Sequence, residues 1–391
     1  MTVLRVAILA DYAEEQWPSM DLVADMLVDR LREEHAASVE VTLVRPPMPR
    51  RLTRFRWIGR PRRAFGIDRI AARQWDYPAV ARALDRSFDV FHVIDHTYAH
   101  LVHALPAERT MVTCHDVDAF RSVLQPDQER RSLPFRWMSR RILDGLCRAA
   151  HVACDSEATR DALVGLAAFP EEKLSVIPNG VDTGGLPDPD ASADSDAALM
   201  LGARGDIELL HVGSTIPRKR IDVLLDVFAR VRASHRDARL VRVGGPFTAQ
   251  QRVHARARGV LGAVAVLPFV DRTTLAAVYR RAAVALLPSE REGFGLPVVE
   301  ALACGTPVVA SDIPVLRETG GDVVTFCPVG DVDAWSAAID HLLRERANDP
   351  PAWEQRRQKG LLRASRFSWS RYASEVMAVY CRIAGGGCED R

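Results

Sequence analysis

The chain has 391 residues, and at the usual domain size of about 100–200 residues this length predicts two large domains. Hydrophobic residues make up 48% and charged residues 26%, which is ordinary for a globular protein and excludes wholesale disorder. Lys and Arg number 52 against 51 Asp and Glu, so the formal net charge is +1. This balance excludes a nucleic-acid-binding charge spread over the whole chain, and nucleic acid is not an expected partner.

Cysteine usage and hydropathy narrow the protein class further. The seven cysteines form no Cys-x-x-Cys pair, so neither a disulfide framework nor a structural zinc site is expected, and a reducing cytoplasm is the simplest setting. The apolar run at residues 3–10 is too short to span a bilayer and is typical of a buried strand. No later run reaches membrane-spanning length.

Short apolar runs alternate with amphipathic segments along the first half of the chain. This alternation predicts βαβ units around a parallel sheet. The predicted strands are residues 3–9, 39–44, 90–94, 111–114, 151–154 and 174–177. The predicted helices are residues 20–34, 79–86, 138–149 and 156–166.

An acidic stretch rich in Pro and Gly, residues 183–206, predicts an interdomain linker or a surface excursion. The alternation then restarts, with strands predicted at 207–212, 240–243, 263–267, 284–287, 307–310 and 323–326. Helices are predicted at 221–234, 272–282, 297–304 and 333–348, and a last helix at 368–383 is expected to pack back on the first domain. The prediction is an α/β protein with two doubly wound Rossmann-like domains. They comprise 1–182 with 368–391, and 207–367, and ligand is expected in the cleft between them.

The most informative motif is Glu-Gly-Phe-Gly-Leu-Pro-Val-Val-Glu at residues 292–300, followed by Ala-Leu-Ala-Cys-Gly-Thr-Pro-Val-Val. It predicts a glycine loop, a helix with Pro297 at its first position, and a following strand. Gly293 and Gly295 allow the backbone to approach a ligand, and the helix start provides positive potential for a diphosphate. Glu292 in the loop and Glu300 in the first helical turn can each accept hydrogen bonds from a vicinal diol. The alternative is that Glu292 is a solvated loop acid and that Glu300 complements the helix dipole, which is the more usual role of a lone Glu near a helix start.

These residues resemble the E-x7-E motif of retaining glycosyltransferases with the GT-B fold, in particular glycosyltransferase family 4. The resemblance extends through the C-terminal half of the chain. It implies that Glu292 contacts the transferred sugar and that Glu300 binds the nucleotide ribose. It also implies that the backbone amides of Phe294, Gly295 and Leu296 meet the sugar and the diphosphate.

A second motif surrounds the predicted strand end at Gly213. The family usually has Gly-Arg after this strand and a Lys just before the helix, and both cations neutralise the leaving diphosphate. Lys219 matches the lysine, which is notable because the chain has only three, but Ser214 replaces the arginine. Arg218 or Arg220 is expected to supply the missing charge. The alternative is a solvated basic helix start, although cations at that place oppose the helix dipole and favour an anionic partner.

In the first domain, Thr-Cys-His-Asp ends a predicted strand, where an α/β sheet places its chemistry. The resemblance implies that His115 contacts the donor sugar, while Asp116 is expected to orient the loop. Asn179 begins an Asn-Gly-Val-Asp run that fits the family pattern but is equally consistent with a tight turn.

The acceptor side is expected to include Trp17, Ser19, His96 and Asp116. Many family members carry Gly-Gly in the first loop, where this chain has Pro-Ser, so the family's acceptor contacts do not transfer directly. Four histidines recur at spacings of four, four and three. Because the first falls in a strand, they are expected to be polar or cleft-lining residues rather than metal ligands, and no metal is expected. These histidines are His92, His96, His100 and His103.

Residues 50–63 contain seven arginines interleaved with Phe, Trp and Ile, and residues 130–141 form a second basic cluster. Such mixtures suit an anionic membrane surface or a polyanionic acceptor. The alternative is a solvated basic face.

The expected function is therefore a retaining hexosyltransferase that moves a hexose from a nucleotide-diphosphate sugar to a sugar, glycolipid or small-molecule acceptor. Cell-envelope polysaccharide synthesis fits this activity, in the cytoplasm or peripherally on the inner face of the membrane, with no cofactor expected. The alternatives are a phosphorylase or epimerase of the same fold, which the E-x7-E motif argues against, and a non-catalytic sugar-nucleotide-binding protein. A dehydrogenase is disfavoured because no G-x-G-x-x-G follows a strand.

Overall fold

The computed structural model describes residues 3–54, 61–84, 87–167, 169–182, 186–202 and 205–385. The chain divides into two compact units. The first is Met1–Asn179 with Trp369–Arg391, and the second is Gly180–Ser368.

The first unit is built on a six-stranded parallel sheet. Its order is β2-β1-β3-β4-β5-β6. The interior strands β3, β4 and β5 are buried at every position, which explains why they appear in the sequence as continuous apolar runs. The strands are β1 (Leu4–Leu9), β2 (Val39–Val44), β3 (Val90–Val93), β4 (Thr110–Cys114), β5 (His151–Cys154) and β6 (Leu174–Val176).

Helices cover this sheet. The first begins with Pro at its first position and buries one face, including Val23, Leu27 and Leu31, against the sheet core. A π-helical segment, Ala72–Asp76, joins the second and third helices, and a 3-10 segment, His96–Ala104, follows β3. The helices are α1 (Pro18–Glu34), α2 (Pro61–Ala71), α3 (Tyr77–Ala83), α4 (Arg121–Leu124), α5 (Leu133–Arg148) and α6 (Glu157–Ala167).

The second unit repeats this architecture, with a parallel sheet of order β12-β11-β10-β7-β8-β9. Its strands are β7 (Glu208–Val212), β8 (Arg239–Val243), β9 (Val264–Leu267), β10 (Val284–Leu287), β11 (Val308–Ser311) and β12 (Thr325–Cys327). Its helices are α7 (Ala191–Leu201), α8 (Ile221–Ser234), α9 (Ala249–Ala257), α10 (Arg272–Arg281), α11 (Leu296–Ala303), α12 (Pro314–Gly320), α13 (Val332–Asn348) and α14 (Pro350–Ala364).

These two sheets confirm the predicted fold class, and every predicted strand is present with ends that shift by at most two residues. The linker predicted at 183–206 is wrong in one respect, because it contains helix α7. The Asp190 side chain caps this helix by accepting hydrogen bonds from the amides of Ser192 and Ala193, both at 3.0 Å. Asp194 pairs with Arg280 of α10 at 2.6 Å. The acids that suggested a solvated linker therefore cap and anchor a helix of the second unit.

The last helix, α15 (Trp369–Ile383), packs on the first unit as expected, with Val376 and Tyr380 in the same core as β1 and α1. The Tyr380 hydroxyl lies 2.7 Å from Nδ1 of His92 in β3, and the other ring nitrogen lies 2.8 Å from the Thr113 hydroxyl. Burial lowers the pKa of His92 to about 3, so the ring is neutral and both of its nitrogens are engaged.

Removing the Tyr380 hydroxyl should leave a buried histidine nitrogen without a partner. We expect Tyr380→Phe to lower the free energy of unfolding by about 1–3 kcal/mol, measured by urea denaturation. Ser370→Ala in the same helix is the control, because it removes only an exposed hydroxyl that donates to Glu34 at 2.7 Å. Equal losses in the two variants would contradict a specific role for the contact between Tyr380 and His92.

Candidate active site

The glycine loop after β10 owes its shape to Gly295. This residue is the N-cap of α11 and has φ of +90°, which favours glycine. A Cβ added there would lie 2.6 Å from Cδ2 of Leu316, so packing excludes a side chain as well. Helix α11 begins at Leu296, so Pro297 is its second residue rather than its first.

The start of α11 presents backbone donors. The Val298 amide donates to the Gly295 carbonyl at 2.8 Å, and Pro297 has no amide hydrogen. The amides of Gly295 and Leu296 have no acceptor within the described parts of the chain. These two donors, together with the helix dipole, form an arrangement that suits an anion.

Glu292 lies just before this loop and is held by two cations. Its carboxylate is 2.6 Å from Nζ of Lys219 and 3.4 Å from Nη1 of Arg218, and only 6% of its side chain is exposed. Burial raises the pKa of Glu292, but the charges of Lys219 and Arg218 outweigh that effect and hold it below its usual value. Glu292 is therefore ionised at neutral pH.

The cationic segment after β7 is tied to the same loop. Pro217–Lys219 forms a single 3-10 turn, and Arg218 donates to the Arg291 carbonyl at 3.0 Å. Arg220 has φ of +46° and is directed elsewhere. It pairs with Asp222 at 2.9 Å and lies 3.9 Å from Glu290. Of the two arginines expected to replace the missing cation, Arg218 is therefore the one brought to Glu292.

Glu300 occupies a different environment from Glu292. It is the fifth residue of α11, so the expectation that it lies in the first turn is wrong. Its Oε2 accepts a hydrogen bond from the Tyr279 hydroxyl at 2.8 Å. Burial raises the pKa of Glu300. The two acids of the motif thus have pKa values shifted in opposite directions.

Gly213 directly follows β7. It lies beside a buried arginine, Arg242, that was not among the residues expected from the sequence. Its φ is +154°, and a Cβ there would lie 3.3 Å from His211 and 3.7 Å from Lys219. Its carbonyl accepts a hydrogen bond from Nη2 of Arg242 in β8 at 2.8 Å. The signal for Arg242 was a charged residue between two valines in the interior of a strand.

In the first unit, His115 follows β4 and is fully engaged. Its Nδ1 donates to Asp155 at 2.6 Å, and its Nε2 donates to the Ile94 carbonyl at 2.8 Å. Burial lowers the pKa of His115, but Asp155 raises it to about 9, so the ring is protonated at neutral pH. Asn179 also donates to Asp155 at 2.8 Å, so this residue does more than form a turn.

The residues expected on the acceptor side fall into two groups. His96 is 3% exposed, its Nε2 lies 3.5 Å from Asp116, and its Nδ1 accepts from the His115 amide at 3.3 Å. Trp17 and Ser19 are exposed at the start of α1, and the Trp17 indole donates to Glu15 at 3.2 Å. His96, Asp116 and His115 are therefore brought together, whereas Trp17 and Ser19 belong to a neighbouring segment.

The four histidines that recur at regular spacing have different hydrogen-bond partners. His100 reaches the Arg73 carbonyl at 2.6 Å, and His103 reaches the Arg141 carbonyl at 3.1 Å. No group of three or more metal-ligating side chains occurs in the described part of the chain.

Two family models match the chain. "Glycosyltransferase Family 4" matches residues 24–184, and "Glycosyl transferases group 1" matches residues 202–360. The glycogen synthase of Mycobacterium tuberculosis is 30% identical over 323 residues, which cover 77% of this chain and 71% of the synthase. The chain belongs to the group 1, family 4 glycosyltransferases.

The relatives of this chain differ in length and in the activities for which they are named. The D-inositol 3-phosphate glycosyltransferase of Jonesia denitrificans is 31% identical over 60% of this chain, which spans 57% of that relative. Sucrose-phosphate synthase from Thermosynechococcus elongatus superimposes with a TM-score of 0.73 at 21% identity, over 97% of this chain and 99% of the synthase. HepE from Anabaena, solved with UDP and glucose, gives 0.70 at 18% identity, over 97% of this chain and all of HepE. The structural matches show the GT-B fold.

The ion pair between His115 and Asp155 in the first unit leads to a testable prediction about pH. Because His115 has a pKa of about 9 when folded, against about 6.5 in an unfolded chain, the folded state binds the proton more tightly. The stability that this adds is fully present below pH 6.5 and is lost as the pH rises through 9. We expect Asp155→Asn to lower the pKa of His115, measured by NMR titration of its ring proton.

The same variant should also change the pH dependence of unfolding. Its urea midpoint should fall below the wild-type midpoint at pH 6, and the difference should narrow above pH 9. Asp161→Asn, which changes an acid with 67% of its side chain exposed, is the control. An unchanged pKa of His115 in Asp155→Asn would contradict the assigned cause.

Proposed function

We propose that this chain is a retaining glycosyltransferase that moves a hexose from a nucleoside-diphosphate sugar to an acceptor hydroxyl. The proposal depends above all on one observation, the buried Lys219–Glu292 pair beside the glycine loop of α11. Glycan, glycolipid or cell-envelope polysaccharide synthesis is the proposed setting. The crystallised HepE neighbour, which contains UDP and glucose, supports this class of donor.

The proposed donor site uses charge and backbone donors together. Lys219 and the amides of Gly295 and Leu296 would hold the diphosphate, and the dipole of α11 would favour its negative charge. Gly213, Gly293 and Phe294 would line the same pocket through their backbones. As the bond to the sugar breaks, negative charge grows on the diphosphate, so fixed positive groups stabilise the transition state more than the ground state.

The two acids would play different parts. Glu292 is ionised, so it can accept hydrogen bonds from sugar hydroxyls and stabilise positive charge at an oxocarbenium-like anomeric carbon. It cannot act as a proton donor near neutral pH. Glu300 would bind the ribose hydroxyls through the oxygen that Tyr279 leaves open.

His115, His96 and Asp116 would serve the sugar and the acceptor. His115 can donate to a sugar hydroxyl only if Nε2 exchanges or shares its bond to the Ile94 carbonyl, because Nδ1 is committed to Asp155. His96 and Asp116 would contact the acceptor, with Trp17 and Ser19 as an outer part of that site. The acceptor would be a sugar, a glycolipid or a small molecule.

The proposed step retains the anomeric configuration. The acceptor hydroxyl attacks on the face from which the diphosphate leaves. The bond between the anomeric carbon and the diphosphate oxygen breaks, and that oxygen takes the proton of the hydroxyl. No metal ion or other cofactor has a part in this step. The second candidate function is a sugar-nucleotide-binding protein without turnover, which is favoured by Ser214 in place of the usual arginine.

The donor is tested by heating the protein with UDP-, GDP- and ADP-hexoses, because a ligand of the folded state raises the apparent unfolding temperature. The donor that raises it should then release its nucleoside diphosphate during turnover, and NMR of the product should show retained configuration. We expect Glu292→Ala to lower turnover by about 100-fold or more.

Asp333→Ala, at an acid with 83% of its side chain exposed, is the control and should keep wild-type turnover. Wild-type turnover in Glu292→Ala would overturn the role of Glu292. Donor binding without any release of nucleoside diphosphate would favour the non-catalytic function.

A membrane surface is proposed as a further partner, supported by α5. This helix exposes Leu133 at 78% and Trp137 at 60% beside several arginines. Mixed apolar and basic faces of this kind suit anionic lipid headgroups. Of the stretch Arg50–Arg63, residues 55–60 lie outside the described residues, and Arg51 is paired with Asp76 at 2.6 Å. No helix in the described residues is long and apolar enough to cross a bilayer.

Lipid binding is measured by sedimentation with vesicles of phosphatidylglycerol and phosphatidylcholine at physiological salt. We expect binding that weakens with added salt and with Trp137→Ser, because charge and apolar insertion act together. Pure phosphatidylcholine vesicles are the control. If the protein stays in the supernatant with anionic vesicles, the membrane proposal is wrong.

A further inference from the structure

Arg242 is a fully buried charge without a carboxylate partner. It lies in β8 between Val241 and Val243, it is 0% exposed, and no ion pair to it occurs among the described residues. Burying an uncompensated charge costs free energy, and proteins normally pair such groups. Burial lowers the pKa of Arg242 only to about 10, so the guanidinium stays charged at neutral pH.

The hydrogen bonds of Arg242 join two glycine loops. One guanidinium nitrogen donates to the Gly245 carbonyl, and the other donates to the Gly213 carbonyl at 2.8 Å and to that of Gly244 at 3.5 Å. A Cβ added to Gly244 would lie 2.1 Å from the Gly213 carbonyl oxygen, so the two loops pack backbone against backbone. Nε of Arg242 has no partner within the described residues.

The surroundings of Arg242 contain more positive groups than negative ones. His211 is its register partner on β7, and the pKa of His211 is lowered by burial and by the charges of Arg242 and Lys219. Gly213 connects Arg242 to Lys219, since a Cβ on Gly213 would touch the Lys219 side chain at 3.7 Å. The nearest acid in this chain of contacts is Glu292, which Lys219 and Arg218 already share.

We propose that Arg242 is a positioning residue for the donor. It fixes the Gly213 loop next to the diphosphate, and it supplies positive charge in place of the family's usual arginine, which is Ser214 in this chain. The inference rests on the proposed donor function and deepens it.

The guanidinium of Arg242 also lies over the Phe247 ring, 5.4 Å from its centroid, but no carboxylate within the described residues pairs with it. The ligand class is a nucleoside diphosphate, because a second phosphate is the group that a cation without a carboxylate partner at this strand end would favour. Arg242 acts through the position of the Gly213 loop and through the electrostatic field of its own charge, without touching the reacting atoms.

If Arg242 had only a structural role, its loss should affect nucleotide binding in a different way. Loss of a loop brace alone would weaken all nucleotides alike. Loss of the buried cation should weaken diphosphates more than monophosphates, since the Coulomb energy scales with ligand charge.

The test compares Arg242→Met, which keeps the length and removes the charge, with the wild-type chain. Dissociation constants for UDP, GDP and ADP and for UMP, GMP and AMP are measured by calorimetry. For the base that the wild type binds, we expect Arg242→Met to weaken the diphosphate about tenfold. The monophosphate should change by less than about threefold.

Adding Ser214→Arg to Arg242→Met should restore much of the lost diphosphate affinity, because it returns a cation to the loop. Arg242→Lys should lie between the wild type and Arg242→Met. An unchanged ratio of diphosphate to monophosphate affinity in Arg242→Met would overturn the role of Arg242 alone. Failure of the wild-type chain to bind any of the three diphosphates would instead overturn the proposed donor function.

Discussion

The arrangement of the candidate site in the second unit depends on the ion pair between Lys219 and Glu292. A carboxylate that is 6% exposed stays ionised only when its environment returns the solvation it has lost, and here Lys219 and Arg218 do so. The pair also joins two loops that are far apart in sequence, one after β7 and one before α11. The position of the glycine loop, the charge of Glu292 and the direction of Lys219 are therefore one linked arrangement.

The parallel sheets explain why the polar residues gather where they do. In each unit the interior strands are mostly apolar and buried, and most of the polar residues of the candidate site lie just past their carboxyl ends. His115 and Asp155 follow β4 and β5 in the first unit, and Gly213 and Glu292 follow β7 and β10 in the second. The same topological constraint thus produces two different polar clusters, one held by a protonated histidine and one held by a lysine.

The sequence was sufficient for the fold and for part of the candidate site. Strands buried on both faces leave continuous apolar runs, and the 292–300 motif identified the glycine loop directly. The sequence alone could not predict contacts between distant residues, such as Tyr279 with Glu300 or Asp155 with His115, because no local pattern indicates which distant residues meet. Helix α7 was missed since caps and ion pairs use the same acids as a solvated linker does. Arg242 was visible as a charge inside an apolar strand, but only the structure shows that it lacks a counter-charge.

The balance of charge in the second unit bears on which state of the reaction the site would favour. Near the ends of β7, β8 and β10, positive side chains outnumber the ionised Glu292. These cations are Lys219, Arg218 and Arg242. Under the proposed function, negative charge builds up on the diphosphate as its bond to the sugar breaks and before its oxygen takes the proton of the acceptor. A site with surplus positive charge binds that departing group more tightly than the donor, which lowers the barrier to bond breaking. The same surplus slows release of the nucleoside diphosphate, so under the proposed function the arginine buried beneath the loop would favour chemistry at the expense of product release.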